Sequence, residues 1–134
     1  ARKAQEKMYQ QKHWFNRCVY LSRASDARKN RTSDEPYITG ARLRALRVLQ
    51  DNKCFYCDTE LQVDNRKQHD GLTIERLVNS KPHSMSNVIL CCSRCNCKRV
   101  SNHLTQTTAE VFSLICNRFL QNEKFLQFVD TLEE

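Results

Sequence analysis

The stretch Gly71-Leu72-Thr73-Ile74-Glu75-Arg76-Leu77-Val78-Asn79-Ser80-Lys81-Pro82-His83-Ser84-Met85-Ser86-Asn87-Val88-Ile89-Leu90 sets two short apolar runs around a polar loop. Leu72 to Leu77 and Asn87 to Cys91 read as strands, and residues 78–86 as their connection. Just outside them stand two Cys-x-x-Cys pairs, Cys54-Phe55-Tyr56-Cys57 and Cys92-Ser93-Arg94-Cys95, separated by 34 residues. A two-residue spacing lets both thiolates of a pair bind one ion while backbone amides turn toward sulfur. Four thiolates around Zn²⁺ make a closed, structural site, whose binding energy is folding energy, on the order of 10–16 kcal/mol in small peptides. Cys91 and Cys97 flank the second pair, but the spacing selects Cys92 and Cys95, which leaves Cys91 as a strand core residue. A helix is expected to begin with Asn96-Cys97-Lys98-Arg99-Val100. The order is knuckle, strand, loop, strand, knuckle, helix.

Outward from this centre the chain reads as helical. Residues 3–23 are good helix formers without Gly or Pro. Ser25 to Pro36 reads as a polar, basic loop. A second helix is expected after Thr39, whose hydroxyl suits a cap, and to run to about Asn52. Ile38, Leu43, Leu46 and Leu49 give it an apolar stripe, with Arg42, Arg44 and Arg47 off that stripe. Val111, Phe112, Leu114, Ile115, Phe119 and Leu120, then Phe125, Leu126, Phe128, Val129 and Leu132, predict one or two amphipathic helices broken near Gln121-Asn122. Cys18 and Cys116 fall on helical stretches and read as buried thiols.

Composition narrows the function classes. The 134 residues include eight Cys, two Gly and two Pro, where average usage gives roughly nine Gly and about seven Pro. A turn-rich β-sandwich or a disordered tail depends on those residues and is disfavoured. The length suits one domain with a modest core that benefits from a staple. The longest apolar run, Val88 to Cys92, is far short of the ~20 residues that span a bilayer, so no membrane partner is expected. The first residues lack an apolar signal segment. The cysteines are expected to be reduced, in an intracellular compartment and not secreted, which favours metal over disulfides.

The net charge of +7 is uneven. Residues 1–53 carry +8 (13 basic against 5 acidic), residues 54–104 carry +2 (7 against 5), and residues 105–134 carry −3 (2 against 5). Basic side chains over a polyanion release counterions, so the N-terminal region predicts a nucleic-acid partner. Tyr9, Trp14, Phe15 and Tyr20 lie among those charges; they read as stacking platforms for bases or, preferably, as aromatics packed beneath the helix.

The region 40–103 resembles an HNH-type endonuclease of the zinc-knuckle subclass. The resemblance rests on a helix running into Cys54 and Cys57, then Glu75, Asn87 before Val88-Ile89-Leu90, and Cys92, Cys95, Asn96 and Arg99 in order. It implies an α+β, mostly helical fold with a ββα-metal core, a structural four-cysteine zinc site and flanking helices. Residues 1–37 would form a basic helical extension, 38–104 the zinc-stapled domain, and 105–134 helices packing on it. The implied activity is hydrolysis of phosphodiester bonds, most readily in double-stranded DNA, with Mg²⁺ or Mn²⁺ held by Glu75 and Asn96. Asn87 would take the orienting position.

Arg76 stands where the family has its general-base His. An Arg stays protonated and cannot accept water's proton, but it can clamp a phosphate bidentately. His83, seven residues on, reads either as a replacement base or as an ordinary loop histidine. His69 is a weaker candidate for metal or phosphate contact, while His103 and His13 sit on helices. Lys98 and Arg99 on the finger helix, with Lys81 and Arg94, are placed to meet phosphates, as are Arg42, Arg44 and Arg47; Lys81 and Arg94 read equally as solvated. The departure at Arg76 keeps open a second reading, a catalytically silent, zinc-stapled nucleic-acid-binding or structural module. A zinc-ribbon adaptor is a third, and the C-terminal helices leave room for a homodimer or a larger assembly.

Overall fold

The computed structural model describes the backbone of residues 2–63, 69–99, 117, 118 and 120–132, and the side chains of 13–63, 69–97, 117, 118 and 120–131. Its element order is α1 (Arg2–Arg28), α2 (Gly40–Leu49), β1 (Leu72–Arg76), β2 (Val88–Cys92), α3 (Ser93–Arg99) and α4 (Glu123–Leu132). The chain is α+β, with a single antiparallel two-stranded sheet among the described residues.

The first helix is longer than its composition suggests. Ser25 and Asp26, expected in a loop, are helical, and the stop comes at Asn30. Asn30 adopts a left-handed φ of 55°, while Arg31 N–H reaches Asp26 C=O (3.0 Å) and Asn30 N–H reaches Ala27 C=O (3.2 Å). That pair of bonds is a Schellman motif, which satisfies the last carbonyls of α1. Trp14, Cys18, Ser22 and Asp26, spaced by four, are all buried, so the inward stripe continues to the helix end. Trp14 and Phe15 are buried edge-to-face at 5.0 Å, as the packing reading expects, whereas Tyr20, expected to pack with them, is 72% exposed, and the Tyr9 side chain lies outside the described ones.

Thr39 caps α2, its Oγ1 accepting from Arg42 N–H at 3.1 Å. A second Schellman stop ends the helix, with Asp51 and Asn52 left-handed and Asn52 N–H on Arg47 C=O at 2.8 Å. Leu43, Ala45 and Leu46 face the core. Arg42, expected beside the stripe, is itself buried and donates to Asn117 Oδ1 at 2.8 Å. The break near Gln121-Asn122 is present: Asn122 Oδ1 accepts from Phe125 N–H at 3.0 Å and starts α4. Val111 to Ile115 and Phe119 lie outside the described residues.

The hairpin pairs Leu72 with Cys92, Ile74 with Leu90 and Arg76 with Val88. Beyond the strand ends, Ser93 N–H bonds Gly71 C=O and Leu77 N–H bonds Asn87 C=O. The backbone groups of odd-numbered β1 residues therefore meet β2, and those of Leu90 and Cys92 point to its outer edge. There the Gln50 side-chain amide donates to Leu90 C=O (2.8 Å) and accepts from Leu90 N–H (3.0 Å). Every residue of β2 is buried, which accounts for its continuous apolar run. Gln50→Ala leaves the buried Leu90 N–H without that acceptor, and a loss of about 1–3 kcal/mol is expected, read as a lowered urea midpoint.

Candidate functional site

The two knuckles converge at one end of the hairpin. The four Sγ atoms of Cys54, Cys57, Cys92 and Cys95 lie within 4.8 Å of one another. Cys57 Sγ and Cys92 Sγ are 3.7 Å apart. With Zn–S bonds of ~2.3 Å, the edge of a tetrahedral sulfur cage is about 3.8 Å, so the spacing is compatible with a structural zinc. Backbone amides turn toward the sulfurs: Cys54 Sγ accepts from Tyr56 and Cys92 N–H (3.4 and 3.3 Å), and Cys92 Sγ from Cys95 N–H (3.4 Å). Asp58 takes a left-handed φ of 61° to turn the chain out of the first knuckle.

The thiols are unequal. The Thr59 hydroxyl and backbone amide draw Cys57 down to about 6, whereas desolvation by burial pushes Cys54 and Cys95 up. One thiolate forms readily and its neighbours resist a second negative charge; a divalent cation removes that conflict. Among the described residues no other group of three or more His, Cys, Asp or Glu is placed to hold a metal. Cys91 is buried, as its strand position implied, and burial raises its thiol pKa. Cys97, which flanks the second pair, is exposed.

On one face of the hairpin, Thr73 and Glu75 stand beside Cys91 and Ile89. Thr73 Oγ1 accepts from Asn96 Nδ2 at 3.2 Å and donates to Cys91 C=O at 2.9 Å. Glu75 is 9% exposed and accepts from the Cys91 thiol at 3.7 Å. Glu75 and Asn96 thus both attach to the Thr73–Cys91 pair. Arg76, next along the strand, projects from the other face and donates to the carbonyls of Asn79 and Lys81 (3.2 Å to the latter). Both bonds come from Nη1 and brace the loop.

The 78–86 loop is heavily anchored. Asn87 Oδ1 accepts from Val78 N–H at 2.8 Å, while its Nδ2 donates to Val78 C=O (3.0 Å) and Pro82 C=O (2.9 Å). His83 C=O accepts from Ile38 N–H, and Met85 N–H reaches Pro36 C=O. Ser84 and Ser86 hydroxyls donate to Glu35. His83 N–H and Nδ1 both lie 2.9 Å from Asp26 Oδ2. Asp26 is 3% exposed and also accepts from Arg31 Nε (2.7 Å) and Tyr37 Oη (2.5 Å). Burial alone would raise its pKa, but the bonds from His83 N–H, Tyr37, the His83 ring and Arg31 prevail and hold it well below the usual carboxylate range. Burial lowers the pKa of His83, against the opposing pull of Asp26.

His83 also lines a cleft of about 280 Å³ between α1 and β1, with Trp14, Cys18, Leu21, Ser22, Ser25, Leu72, Thr73 and Ile74. Asp26 is the residue that the sequence reading missed. Its signal was the four-residue stripe from Trp14, obscured by Ser25 and by surrounding charges.

Of the basic candidates, Lys81 and Arg94 are exposed, as are Arg17, Arg23, Arg28 and Lys29 on and just beyond α1. Arg44 and Arg47 are half-buried, and Arg47 donates to Asn52 Oδ1 at 2.8 Å. The side chains of Lys98 and Arg99 lie outside the described ones, as does His103 as a whole. His13 and His69 are exposed.

Two outcomes follow. Purified protein should contain about one zinc per chain, and chelation or Cys54→Ser should unfold it, measured by elemental analysis and circular dichroism. In acid, unfolded chains take up protons at His near ~6.5 and Asp near ~3.9, while folded His83 and Asp26, both with lowered pKa, resist them. Their stabilisation is therefore complete above about pH 6.5 and is lost on acidification through the His and then the Asp range. Asp26→Asn should flatten the acid limb of a urea-midpoint curve taken from pH 7 to pH 3.

No protein-family profile, curated protein or solved structure matches the chain.

Proposed function

We propose that the chain is a zinc-stapled, HNH-like, metal-dependent endonuclease that hydrolyses DNA phosphodiester bonds. The observation that carries the reading is one arrangement at the hairpin: Glu75 and Asn96 bound around Thr73 and Cys91, with Asn87 clamping the loop that presents His83. A purely structural zinc module has no need of a buried carboxylate on the hairpin face that meets Asn96 of α3. Cys54, Cys57, Cys92 and Cys95 would hold the zinc. Glu75 and Asn96 would hold Mg²⁺ or Mn²⁺, hard ions that take one or two protein oxygens and leave other positions to water and phosphate. Such an ion would neutralise charge on the scissile phosphate and leaving oxygen.

In this reading His83 is the general base and Asn87 fixes its loop, while Arg76 ties Asn79 and Lys81 into the same loop. The exposed Arg17, Arg23, Arg28 and Lys29 offer a positive approach for the duplex. No described helix is long and apolar enough to cross a membrane. Engagement of Arg76 by loop carbonyls, with no His at that position, favours the silent nucleic-acid-binding module as the second reading.

Supercoiled plasmid with Mg²⁺ or Mn²⁺ tests the two. Wild type should nick or linearise it, with a loss of at least about 100-fold in Glu75→Ala and His83→Ala. An intact plasmid over a range of metals and salt, with salt-sensitive binding retained, would establish the silent module instead.

A further inference from the structure

We infer that α1 supplies the positioning residue of the site: Asp26 fixes His83 with Nδ1–H on its carboxylate and Nε2 turned to the cleft between α1 and β1. The inference rests on the nuclease reading for its chemistry and on geometry for its arrangement. Asp26 is nearly inaccessible, and its carboxylate collects the His83 backbone N–H, the His83 ring, Tyr37 Oη and Arg31 Nε. An ionised carboxylate only accepts. The nitrogen 2.9 Å from it therefore carries the proton, and the neutral ring keeps its lone pair on Nε2. A carboxylate behind Nδ1 both selects the tautomer and stabilises the imidazolium that forms when the ring takes a proton.

The surroundings hold this geometry from every side. His83 is fixed in its backbone at both N–H and C=O. Charged and titratable groups facing the pair are Arg31 beyond α1, Tyr37 in the 31–39 segment and Arg76 from β1. Arg23 stacks over the Tyr37 ring at 4.5 Å, and Glu35 holds the neighbouring Ser84. The cleft wall opposite is Trp14, Cys18, Ser22 and Ser25. In the step assigned here, a water O–H bond breaks and its proton passes to His83 Nε2. The water oxygen forms a bond to phosphorus, the P–O bond to the leaving oxygen breaks, and that oxygen is protonated from solvent.

The test uses the full zinc-loaded chain. Long-range ¹H–¹⁵N correlation of the histidine rings at neutral pH should show His83 as the Nδ1–H tautomer, and the Nε2–H form there would overturn the assignment. Asp26→Asn should lose the Nδ1–H form and cut plasmid cleavage with Mn²⁺ by about 100-fold or more. It should also move the acid limb of the pH–rate profile to lower pH, because Asp26 supports the His83 cation. Cysteine-bound zinc content should be unchanged. If wild type cleaves and Asp26→Asn keeps both its rate and its pH profile, the positioning role is lost while the nuclease reading stands. If wild type does not cleave at all, the nuclease reading is lost and the catalytic role goes with it.

Discussion

Four sulfur atoms gathered within 4.8 Å are the constraint on which the rest of this molecule depends. Each knuckle occupies a junction: Cys54 and Cys57 follow the stop of α2, and Cys92 and Cys95 join β2 to α3. A two-stranded hairpin is marginal in water by itself. Tying both junctions to one point fixes the hairpin against a helix at each end, over a separation of 38 residues between Cys54 and Cys92. Loop-closure entropy for such a span is lost once, where the four sulfurs meet.

With that end fixed, the other end of the hairpin can carry polar groups that a small core would otherwise exclude. Glu75, Asn87 and Asp26 are all buried, and each is bound to protein partners. Asn87 and Arg76 brace the 78–86 loop from the sheet, while Asp26 and residues 35–38 brace it from the N-terminal side. Buried polar networks of this kind are favourable only when every member is satisfied. The loop that the sequence presents as polar and open is in fact held from two directions.

What could be read in the sequence was what depends on short spacings. The Cys-x-x-Cys pairs, the Thr39 cap, the two strands and the break at Asn122 are each set by residues within a few positions. Asp26 continues the four-residue stripe from Trp14, but its main partner is 57 residues away and Ser25 to Pro36 reads as a polar loop. The helix stop instead depended on the left-handed tolerance of Asn30. Arg42 likewise read as lying off the apolar stripe, placed to meet phosphates, since nothing local announces that Asn117 will accept from its guanidinium. The side of the hairpin to which Glu75 and Arg76 project follows from β pleating, but that Arg76 would bind its own loop does not.

The sealing of β2 has a consequence for self-association. Gln50 mimics a strand by pairing with both backbone groups of Leu90, Phe55 N–H bonds the same carbonyl, and the Cys54 sulfur receives Cys92 N–H. An incoming strand finds the Leu90 groups and the Cys92 N–H already taken. On the other margin Leu72 N–H is already bonded to Gln62, and Ile74 lies in the cleft beside α1. On that side α1 stands across a cleft from Leu72, Thr73 and Ile74, so the helix that carries Asp26 also borders the free margin of the hairpin.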